Sequence, residues 1–555
     1  MLALAQSIEE INLFKKNFSK LPTILALNLE VITHCEINRL NFIVPFEGKK
    51  YHNITEKIIL KSKEFLEQID FSPLKYEFLK NDLKALLRYK FNQTSFVIET
   101  LNIIKDDYGE IIYTNLHSSS KFFEEEREYI NLEEIIKITK FKNIKKIDTG
   151  IKSISNDFSY EYRINGLKLS KKKKIIFNNA GYNFKRIIYF LIKHKKKIAL
   201  PKKNLSIVKI ILFRLLGIEL YEFVKNKKVE QRIELPIIKD DLKYDHYKIS
   251  QIINNQVKNA KNYLNDLYQK YKSIKPYFEK SYFELVLTNT NRDIGSILIE
   301  AACETKTKSI TISHGTISKS YDKLDDIYKK YIAEGVFLSN SEIKAVQTKI
   351  CKKSLETLNT SGNLVETGNL IFAERDNFIN KKKSKILYAV TNKRLPALQI
   401  HGVEYFFEFY RNLKALNTFC KNNEIKVLVH LHPGAKKNIR KFKKIFRFLE
   451  FSTGDITKSL KKSFVTLSFS STVIEDSLNY LVPVILLDLN KKNYIHFKAE
   501  LSPSKHDKAL YYIDNIDNLD KCIKTIKHSK NINFEEYIYM RKSKENIKFF
   551  FKNYL

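Results

Sequence analysis

The sequence predicts an α/β protein with two doubly wound, Rossmann-type domains that face each other across a cleft, preceded by an N-terminal accessory region. The chain has 555 residues, more than one hydrophobic core usually supports. From residue 171 onward, short apolar stretches typical of buried parallel strands alternate with amphipathic helical stretches. The polar stretch ERDNFINKKKSK (374–385) interrupts that alternation, which indicates a linker between two such units.

These features divide the chain into four parts. We expect an accessory region over residues 1–165, a first Rossmann-like domain over 166–375, a second over 376–520 and a helical C-terminal return over 521–555. Within the accessory region, TILALNLEVI and NFIVPFEG are typical of strands and KSKEFLEQI of a helix. The role of this region is left open.

The two Rossmann-like domains alternate strands and helices in a regular order. The elements predicted for the first are a strand in KKKKIIF, a turn at Gly181, a helix and a strand ending near 201, a helix ending at Gly217, strand IELYEF, helix 246–280, strand FELVLTN (283–289), helix 294–304 and strand SITIS (309–313). Those predicted for the second are ILYAV (386–390), helix 402–422, IKVLVHL (425–431), helix 435–449, FVTLSF (464–469), helix 473–480 and VPVILLD (482–488). Because such sheets bind ligands at the carboxyl ends of their strands, we expect the chemistry in the loops that follow them.

One apolar segment allows two interpretations. SIVKIILFRLLGIELYEFV (206–224) is broken by Lys209, Arg214 and Glu219, so it is not a membrane span. It fits a helix that lies in a membrane interface with its basic flanks on the headgroups. We favour the other interpretation, a helix packed in the interior and followed by a strand.

Composition limits the classes of partner and the compartment. The formal charge of +36 comes mainly from lysines spread along the whole chain, which favours peripheral attraction to an anionic membrane over specific nucleic-acid binding. The five cysteines are odd in number, far apart and never in a C-x-x-C pair, as expected of free thiols in a reducing cytoplasm. Neither a secretory signal nor a membrane-spanning stretch is recognisable, so we expect a cytoplasmic protein, peripheral at most to the inner face of the membrane.

The motif HLHPG (430–434) directly follows a predicted strand. Pro433 is suited to open the next helix, whose free N–H groups would hold a phosphate beside His432, with Lys436 and Lys437 in its first turns. His430, earlier in the strand, fits a packed side chain. The alternative is a His-Pro turn without a ligand.

A second motif, SFSSTVIEDSLNY, follows the predicted strand FVTLSF. Ser470, Ser471 and Thr472 are small hydroxyl residues at a strand-to-helix turn, where backbone and hydroxyl groups donate to a phosphate. Glu475, in the first helical turn, is placed to accept from ribose hydroxyls. The alternative is an ordinary helix cap with a capping acid.

A third motif, SITISHGT (309–316), lies in the other domain. His314 follows a buried strand, and Gly315 leaves room for close approach. A histidine across the cleft from a phosphate is a candidate general base toward an acceptor hydroxyl. The alternatives are a structural histidine or a donor that orients the phosphate.

Several motifs are absent from the sequence. It has no D-x-D triplet, so we expect no carboxylate-held metal ion. It has neither a G-x-x-x-x-G-K-[ST] loop nor a G-x-G-x-x-G turn, which argues against a P-loop nucleotidase or a nicotinamide enzyme. We therefore expect no cofactor.

In their order, HGT, EGVFLSNSEIKAVQ with LVETGN (364–369), ILYAVTNK, HLHPG and SSTVIEDSLNYLVPVI resemble the landmarks of GT-B-fold transferases of bacterial surface polysaccharide. The similarity spans about residues 280 to 490. It is closest to the branch of CDP-glycerol glycerophosphotransferases and CMP-sugar transferases, those for Kdo or sialic acid, of capsule and lipopolysaccharide assembly. Each landmark is short, so the specificity lies in their order.

The resemblance implies an inverting, metal-independent transfer from a nucleotide-activated donor, CMP- or CDP-linked, to a lipid-linked or oligosaccharide acceptor. The second Rossmann-like domain would hold the donor and the first the acceptor. His432 and the hydroxyls at 470–472 would bind donor phosphate, Glu475 the ribose, and His314 would be base or phosphate ligand.

Two departures from the family pattern leave the base and the donor open. The carboxylate motif of the sialyltransferase-like relatives is not clearly present, although Asp293 in TNRDIG could serve as the base. Thr316-Ile317 replaces the Thr-Pro pair of glycerophosphotransferases. Two other classes stay open, a UDP-sugar epimerase of the same architecture and a non-catalytic basic protein that binds polysaccharide or nucleic acid.

Overall fold

The structure is a computed structural model. It describes residues 1–44, 48–116, 130–141, 143–149, 159–168, 173–181, 184–203, 205–230, 233–313, 323–358, 360–374, 384–389, 406–432, 439–469, 471–489 and 499–554.

The first unit is a parallel sheet in the strand order β3-β2-β1-β4-β5. Its strands are β1 (Leu2–Ala5), β2 (Thr23–Ala26), β3 (Phe42–Ile43), β4 (Ile111–Thr114) and β5 (Ile144–Ile147), and its helices are α1 (Ile8–Asn17), α2 (Leu29–Ile37), α3 (Gly48–Glu67), α4 (Glu77–Ile104) and α5 (Leu132–Thr139). The region assigned only an accessory role from the sequence is therefore itself a wound α/β unit.

One strand predicted in this unit is partly wrong. Of TILALNLEVI, only Thr23–Ala26 is extended, and helix α2 takes up the rest. The cause is Asn28, whose side chain accepts a hydrogen bond from the backbone N–H of Val31 and so begins a helix where apolar content suggested a strand. The helix predicted at KSKEFLEQI is confirmed as the end of α3.

The second unit is an eight-stranded sheet in the order β15-β14-β13-β12-β7-β8-β9-β6. Its strands are β6 (Ser159–Asn165), β7 (Lys174–Phe177), β8 (Ile198–Pro201), β9 (Glu219–Val229), β12 (Phe283–Thr288), β13 (Lys308–Ile312), β14 (Ile343–Val346) and β15 (Asn363–Glu366), beside the hairpin β10 (Lys243–Tyr244) and β11 (Tyr247–Lys248). Its helices are α6 (Lys185–Lys193), α7 (Ile207–Leu215), α8 (Ser250–Glu279), α9 (Ile294–Glu304), α10 (Lys323–Glu334) and α11 (Lys349–Glu356). Within the eight-stranded sheet all pairings are parallel except that of β6 with β9.

The third unit is a parallel sheet in the order β18-β17-β16-β19-β20-β21. Its strands are β16 (Lys385–Ala389), β17 (Val427–Leu431), β18 (Leu449–Thr453), β19 (Ser463–Ser468), β20 (Val484–Leu487) and β21 (Leu510–Ile513). Its helices are α12 (Phe406–Asn423), α13 (Ile439–Ile445), α14 (Ile456–Leu460), α15 (Val473–Asn479) and α16 (Asn518–His528), and α17 (Ser543–Tyr554) follows. The predicted α/β class with two doubly wound Rossmann-type units is confirmed.

Two boundaries in the third unit differ from the sequence-based prediction. The helix expected over 435–449 ends at Ile445, because Leu449 begins strand β18, which sequence inspection missed. The C-terminal return is two helices, and the second of them, α17, packs Ile547, Phe550 and Phe551 into the apolar core of the second unit.

The segment 367–374 joins the second and third units through polar contacts. The Arg186 guanidinium in α6 donates to the carbonyl of Phe372, while the N–H of Ala373 donates to the Asp476 carboxylate of α15 at 2.6 Å. The backbone N–H of Ser543, at the start of α17, donates to Glu374. This segment is therefore held from both sides.

Candidate functional site

The strand orders locate a crevice in each sheet. In the first and third sheets the chain begins in the middle, moves to one side and then returns to the other, and the second sheet does the same from β7 onward, after the edge strand β6. This arrangement opens a crevice at the carboxyl ends of the two strands where the order reverses. Those strands are β1 and β4 in the first unit, β7 and β12 in the second, and β16 and β19 in the third. The three crevices differ in what lines them.

The crevice of the third unit brings together two of the predicted phosphate-binding motifs. His432 directly follows β17, and Ser471 and Thr472 follow β19. Because β17 and β19 both pair with β16, the two motifs end one strand apart on either side of the reversal. The hydroxyl of Ser468, the last residue of β19, donates to the carbonyl of Ala389, the last residue of β16, at 2.9 Å and so links the ends of these two strands.

The side chains of this crevice combine partial exposure with hydrogen-bonding capacity. His432 and Thr472 are half-buried. Ser471 is buried, and its hydroxyl accepts from the N–H of Val473 at 3.4 Å at the start of α15. The predicted ligands Pro433, Lys436 and Ser470 lie outside the described residues.

The two acids that follow the hydroxyl residues have different surroundings. Asp476 accepts from Ala373 and thus anchors the segment between the units, and burial raises the pKa of Asp476 to about 6. Glu475 is 1% exposed within α15. Its contact with a ribose therefore stays a prediction, one that requires its carboxylate to be uncovered on binding.

His430 is a packed side chain, as the sequence suggested. Its Nδ1 lies 2.9 Å from the Ser459 hydroxyl and 3.1 Å from that of Ser452. Burial lowers the pKa of His430 below its ordinary value, which favours the neutral ring. His430 thus shares the HLHPG motif with His432 but not its location in the crevice.

The crevice of the second unit contains an amide cluster that sequence inspection missed. The side-chain carbonyl of Asn289, just beyond β12, accepts from the amides of Asn178 and Asn179, just beyond β7, at 3.0 and 2.7 Å. The N–H of Asn289 donates back to Asn178 at 3.3 Å. The signal was present, since NNAG and TNTN each follow a strand, yet asparagine there is equally typical of a plain turn.

Asp293 lies at the same carboxyl edge, just before helix α9. Its backbone has φ 51° and ψ −130°, a conformation that costs an L residue about 1–3 kcal/mol and is enriched at functional sites. Gly295 permits the close approach, because a Cβ there would lie 2.2 Å from the Thr290 carbonyl. The other predicted catalytic residue, His314, lies outside the described residues, one position beyond Ser313.

Asp293 also connects this edge to the first unit. Its N–H donates at 3.2 Å to the carboxylate of Asp82 on α4, which also accepts from the Tyr263 hydroxyl at 2.9 Å. Burial raises the pKa of Asp82 to about 7, against the attraction of Arg292. The first unit therefore reaches the candidate site through a buried acid.

This burial predicts a pH dependence of stability. The unfolded Asp82 releases its proton near its ordinary pKa of 3.8, whereas the folded protein holds it until about pH 7. The folded state binds more protons in that window, so stability falls as pH rises through it and levels off above. Asp82→Asn removes the titration, and we expect wild type to lose about 2–4 kcal/mol more than the variant between pH 4 and 8 in urea unfolding. Asp517→Asn, an exposed control, should keep the wild-type slope, and an unchanged slope in Asp82→Asn would contradict the assignment.

The crevice of the first unit is filled by the chain itself. Glu10 is fully buried and accepts from the N–H groups of Gln6 and Ser7 at 2.6 and 2.8 Å and from the Thr114 hydroxyl. These groups lie between the ends of β1 and β4, where a ligand phosphate would otherwise sit. This crevice is therefore closed by an internal carboxylate.

Two kinds of feature are absent from the described residues. Within those ranges, no group of three or more histidine, cysteine, aspartate or glutamate side chains is placed to hold a metal ion. No helix among them is both long and apolar enough to cross a membrane.

Comparisons with known proteins identify structural neighbours only. No family model matches the chain, and no curated protein matches it in sequence. The UDP-GlcNAc 2-epimerase of Methanocaldococcus jannaschii, solved with UDP-GlcNAc and UDP, is 14% identical, with a TM-score of 0.40 over 69% of this chain and 99% of that one. The Neisseria meningitidis enzyme bound to UDP-GlcNAc is 12% identical, with a TM-score of 0.41 over the same shares. CalG4, the calicheamicin glycosyltransferase, is 10% identical, with a TM-score of 0.37 over 68% of this chain and 95% of that one. At these values the likeness concerns the fold and says nothing about activity.

Proposed function

We propose that the protein is a GT-B-type transferase that moves a sugar, or an alditol phosphate, from a nucleotide-activated donor to a surface-polysaccharide acceptor. The observation that carries the proposal is that His432 follows β17 while Ser471 and Thr472 follow β19, the two strands that flank β16 at the strand-order reversal of the third unit. Of the three crevices, this one presents a partly exposed histidine and hydroxyls, side chains suited to a phosphate.

The third unit would hold the donor. A leaving nucleotide gains negative charge on its phosphate as the bond to the transferred group breaks. Hydrogen-bond donors already fixed at that position stabilise the charge without reorganising. His432, in its protonated form or through a ring N–H, and the hydroxyls of Ser471 and Thr472 would supply them.

The second unit would hold the acceptor. The amides of Asn178, Asn179 and Asn289 can each donate and accept, which suits the hydroxyls of a sugar. Asp293 or His314 would take the proton of the attacking hydroxyl. The acceptor oxygen then forms the new bond to the activated carbon or phosphorus, and the nucleotide phosphate leaves with the electron pair.

The resemblance to CMP- and CDP-dependent enzymes supports a cytidine nucleotide as the donor. The same resemblance supports a reaction without metal or other cofactor, and a cytoplasmic enzyme that meets a lipid-linked or oligosaccharide acceptor at the inner face of the membrane. These finer assignments are part of the proposal.

Product analysis tests the proposal against its nearest rival. A transferase should release nucleotide from CMP-sugar or CDP-alditol donors faster when a polysaccharide acceptor is added, and the label of the donor should move to that acceptor. An epimerase would convert a UDP-sugar with no acceptor present. Conversion of UDP-sugar alone would contradict the transferase, and salt-sensitive polymer binding without any product would favour a binding protein.

A further inference from the structure

Helix α7 exposes an apolar face. Six large apolar side chains within residues 207–216 are between 47% and 80% exposed, and they are Ile207, Val208, Ile211, Leu212, Leu215 and Leu216. Single exposed apolar residues are common on protein surfaces, but a contiguous group marks an interaction site. The helix ends before Gly217 as the sequence predicted, yet the predicted packing of its apolar face in the interior is wrong.

The helix is divided sharply into an inner and an outer side. Ile210 and Phe213, three positions apart, turn toward the core of the second unit and are half-buried. At roughly 100° per residue, the six exposed side chains cover about half of the circumference. Lys209 and Arg214 lie at its two margins.

The charged residues next to this face in the sequence are all basic. The segment 202–218 has the sequence KKNLSIVKIILFRLLGI, which contains no acidic residue. The nearest acids that follow are engaged, since Glu219 pairs with Lys174 at 3.0 Å and Glu222 with Lys202 at 2.9 Å. On the preceding helix α6, Tyr189 is 71% exposed, an aromatic residue of the kind that favours the headgroup region.

We propose that this face of α7 docks onto an anionic lipid bilayer. An apolar half-cylinder with cations at its margins inserts its side chains at the boundary of headgroups and acyl chains, while the cations meet lipid phosphates. A second copy of this chain is a poorer occupant, because two-fold pairing would bring the Lys209 and Arg214 margins of two chains of charge +36 together. The exposure and charge of α7 alone support this surface, so it does not depend on the proposed transferase activity.

Vesicle co-sedimentation of the full chain tests this surface. Wild type should sediment with phosphatidylcholine vesicles that contain phosphatidylglycerol, and less with phosphatidylcholine alone or at high salt. Ile211→Glu with Leu215→Glu should lower the partition coefficient at least about tenfold, because both apolar insertion and charge attraction are lost. Lys209→Gln with Arg214→Gln should lower it by about fivefold per charge, only on the anionic vesicles.

Matched controls keep the test decisive. Ile237→Glu with Leu501→Glu changes two apolar side chains that are 82% and 60% exposed elsewhere, and should bind as wild type does. Lys521→Gln with Lys548→Gln removes the same charge at other exposed positions and should matter little. Melting temperatures verify that each variant folds. Failure of wild type to bind anionic vesicles, or equal binding by the α7 variants, would overturn the proposal. The proposal would also be overturned if wild type formed a dimer in the absence of lipid and, of these variants, only Ile211→Glu with Leu215→Glu were monomeric.

Discussion

Replacing His432 with alanine is expected to lower the turnover of the donor by about 10²–10³-fold, the usual cost of losing one donor that stabilises a developing negative charge. His432 directly follows β17, beside the crevice between β16 and β19 where the leaving phosphate would sit. The measurement is nucleotide release at saturating donor, with kcat separated from KM. Because the interaction strengthens as the bond breaks, kcat should fall more than donor affinity.

His430→Ala is the matched control, because His430 lies two residues earlier, within β17. It removes hydrogen bonds to Ser452 and Ser459 and should cost about 1–3 kcal/mol of stability. Turnover by the folded fraction should stay within a few-fold of wild type. Equal losses of turnover in both variants, or none in His432→Ala, would contradict the assignment of the phosphate site.

Replacing Asn289 with leucine is expected to lower the free energy of unfolding by about 2–4 kcal/mol. Leucine has a similar size, but it leaves the amides of Asn178 and Asn179 without the carbonyl that accepts from both. Urea unfolding measures the loss. Asn226→Leu, at an exposed position of β9, should change stability by less than about 0.5 kcal/mol. A stability close to wild type for Asn289→Leu would mean that water satisfies these amides.

The third unit could be predicted because its signals are local. The strands β16, β17, β19 and β20 are short apolar runs, and β17 and β19 lead directly into the HLHPG and SFSST motifs. Each motif is contiguous and follows a predicted strand, so both could be assigned to the carboxyl edge of one sheet, although the sequence did not show that β16 separates their strands. Topology then followed from the rules of parallel sheets.

The first unit could not be predicted in the same way. Helix α4 is buried along most of its 28 residues, and its interior positions include Asp82, Arg88 and Glu99, so no clean amphipathic period appears. Those side chains bond to distant partners. The Asp82 carboxylate accepts a hydrogen bond from the backbone N–H of Asp293, 211 positions away, and the Arg88 guanidinium pairs with the Glu334 carboxylate at 2.9 Å. Such pairs are invisible in one sequence.

Helix α7 shows the opposite case. Its apolar content made burial the natural expectation, since most apolar helices of this length are covered. Which neighbours cover a helix depends on the sheet order, and α7 crosses from β8 to β9 near the sheet edge. There the core reaches only Ile210 and Phe213.

The central claim is that the third-unit crevice binds a nucleotide, and a thermal-shift screen tests it most directly. CMP, CDP, UDP, GDP and ADP are added to wild type and to His432→Ala, because a ligand that binds only the folded state raises the melting temperature with its concentration. We predict that a cytidine nucleotide stabilises wild type and that His432→Ala abolishes the shift. Stabilisation by UDP alone would move the donor to the UDP-sugars. No response to any nucleotide, or an equal shift in the variant, would contradict the claim.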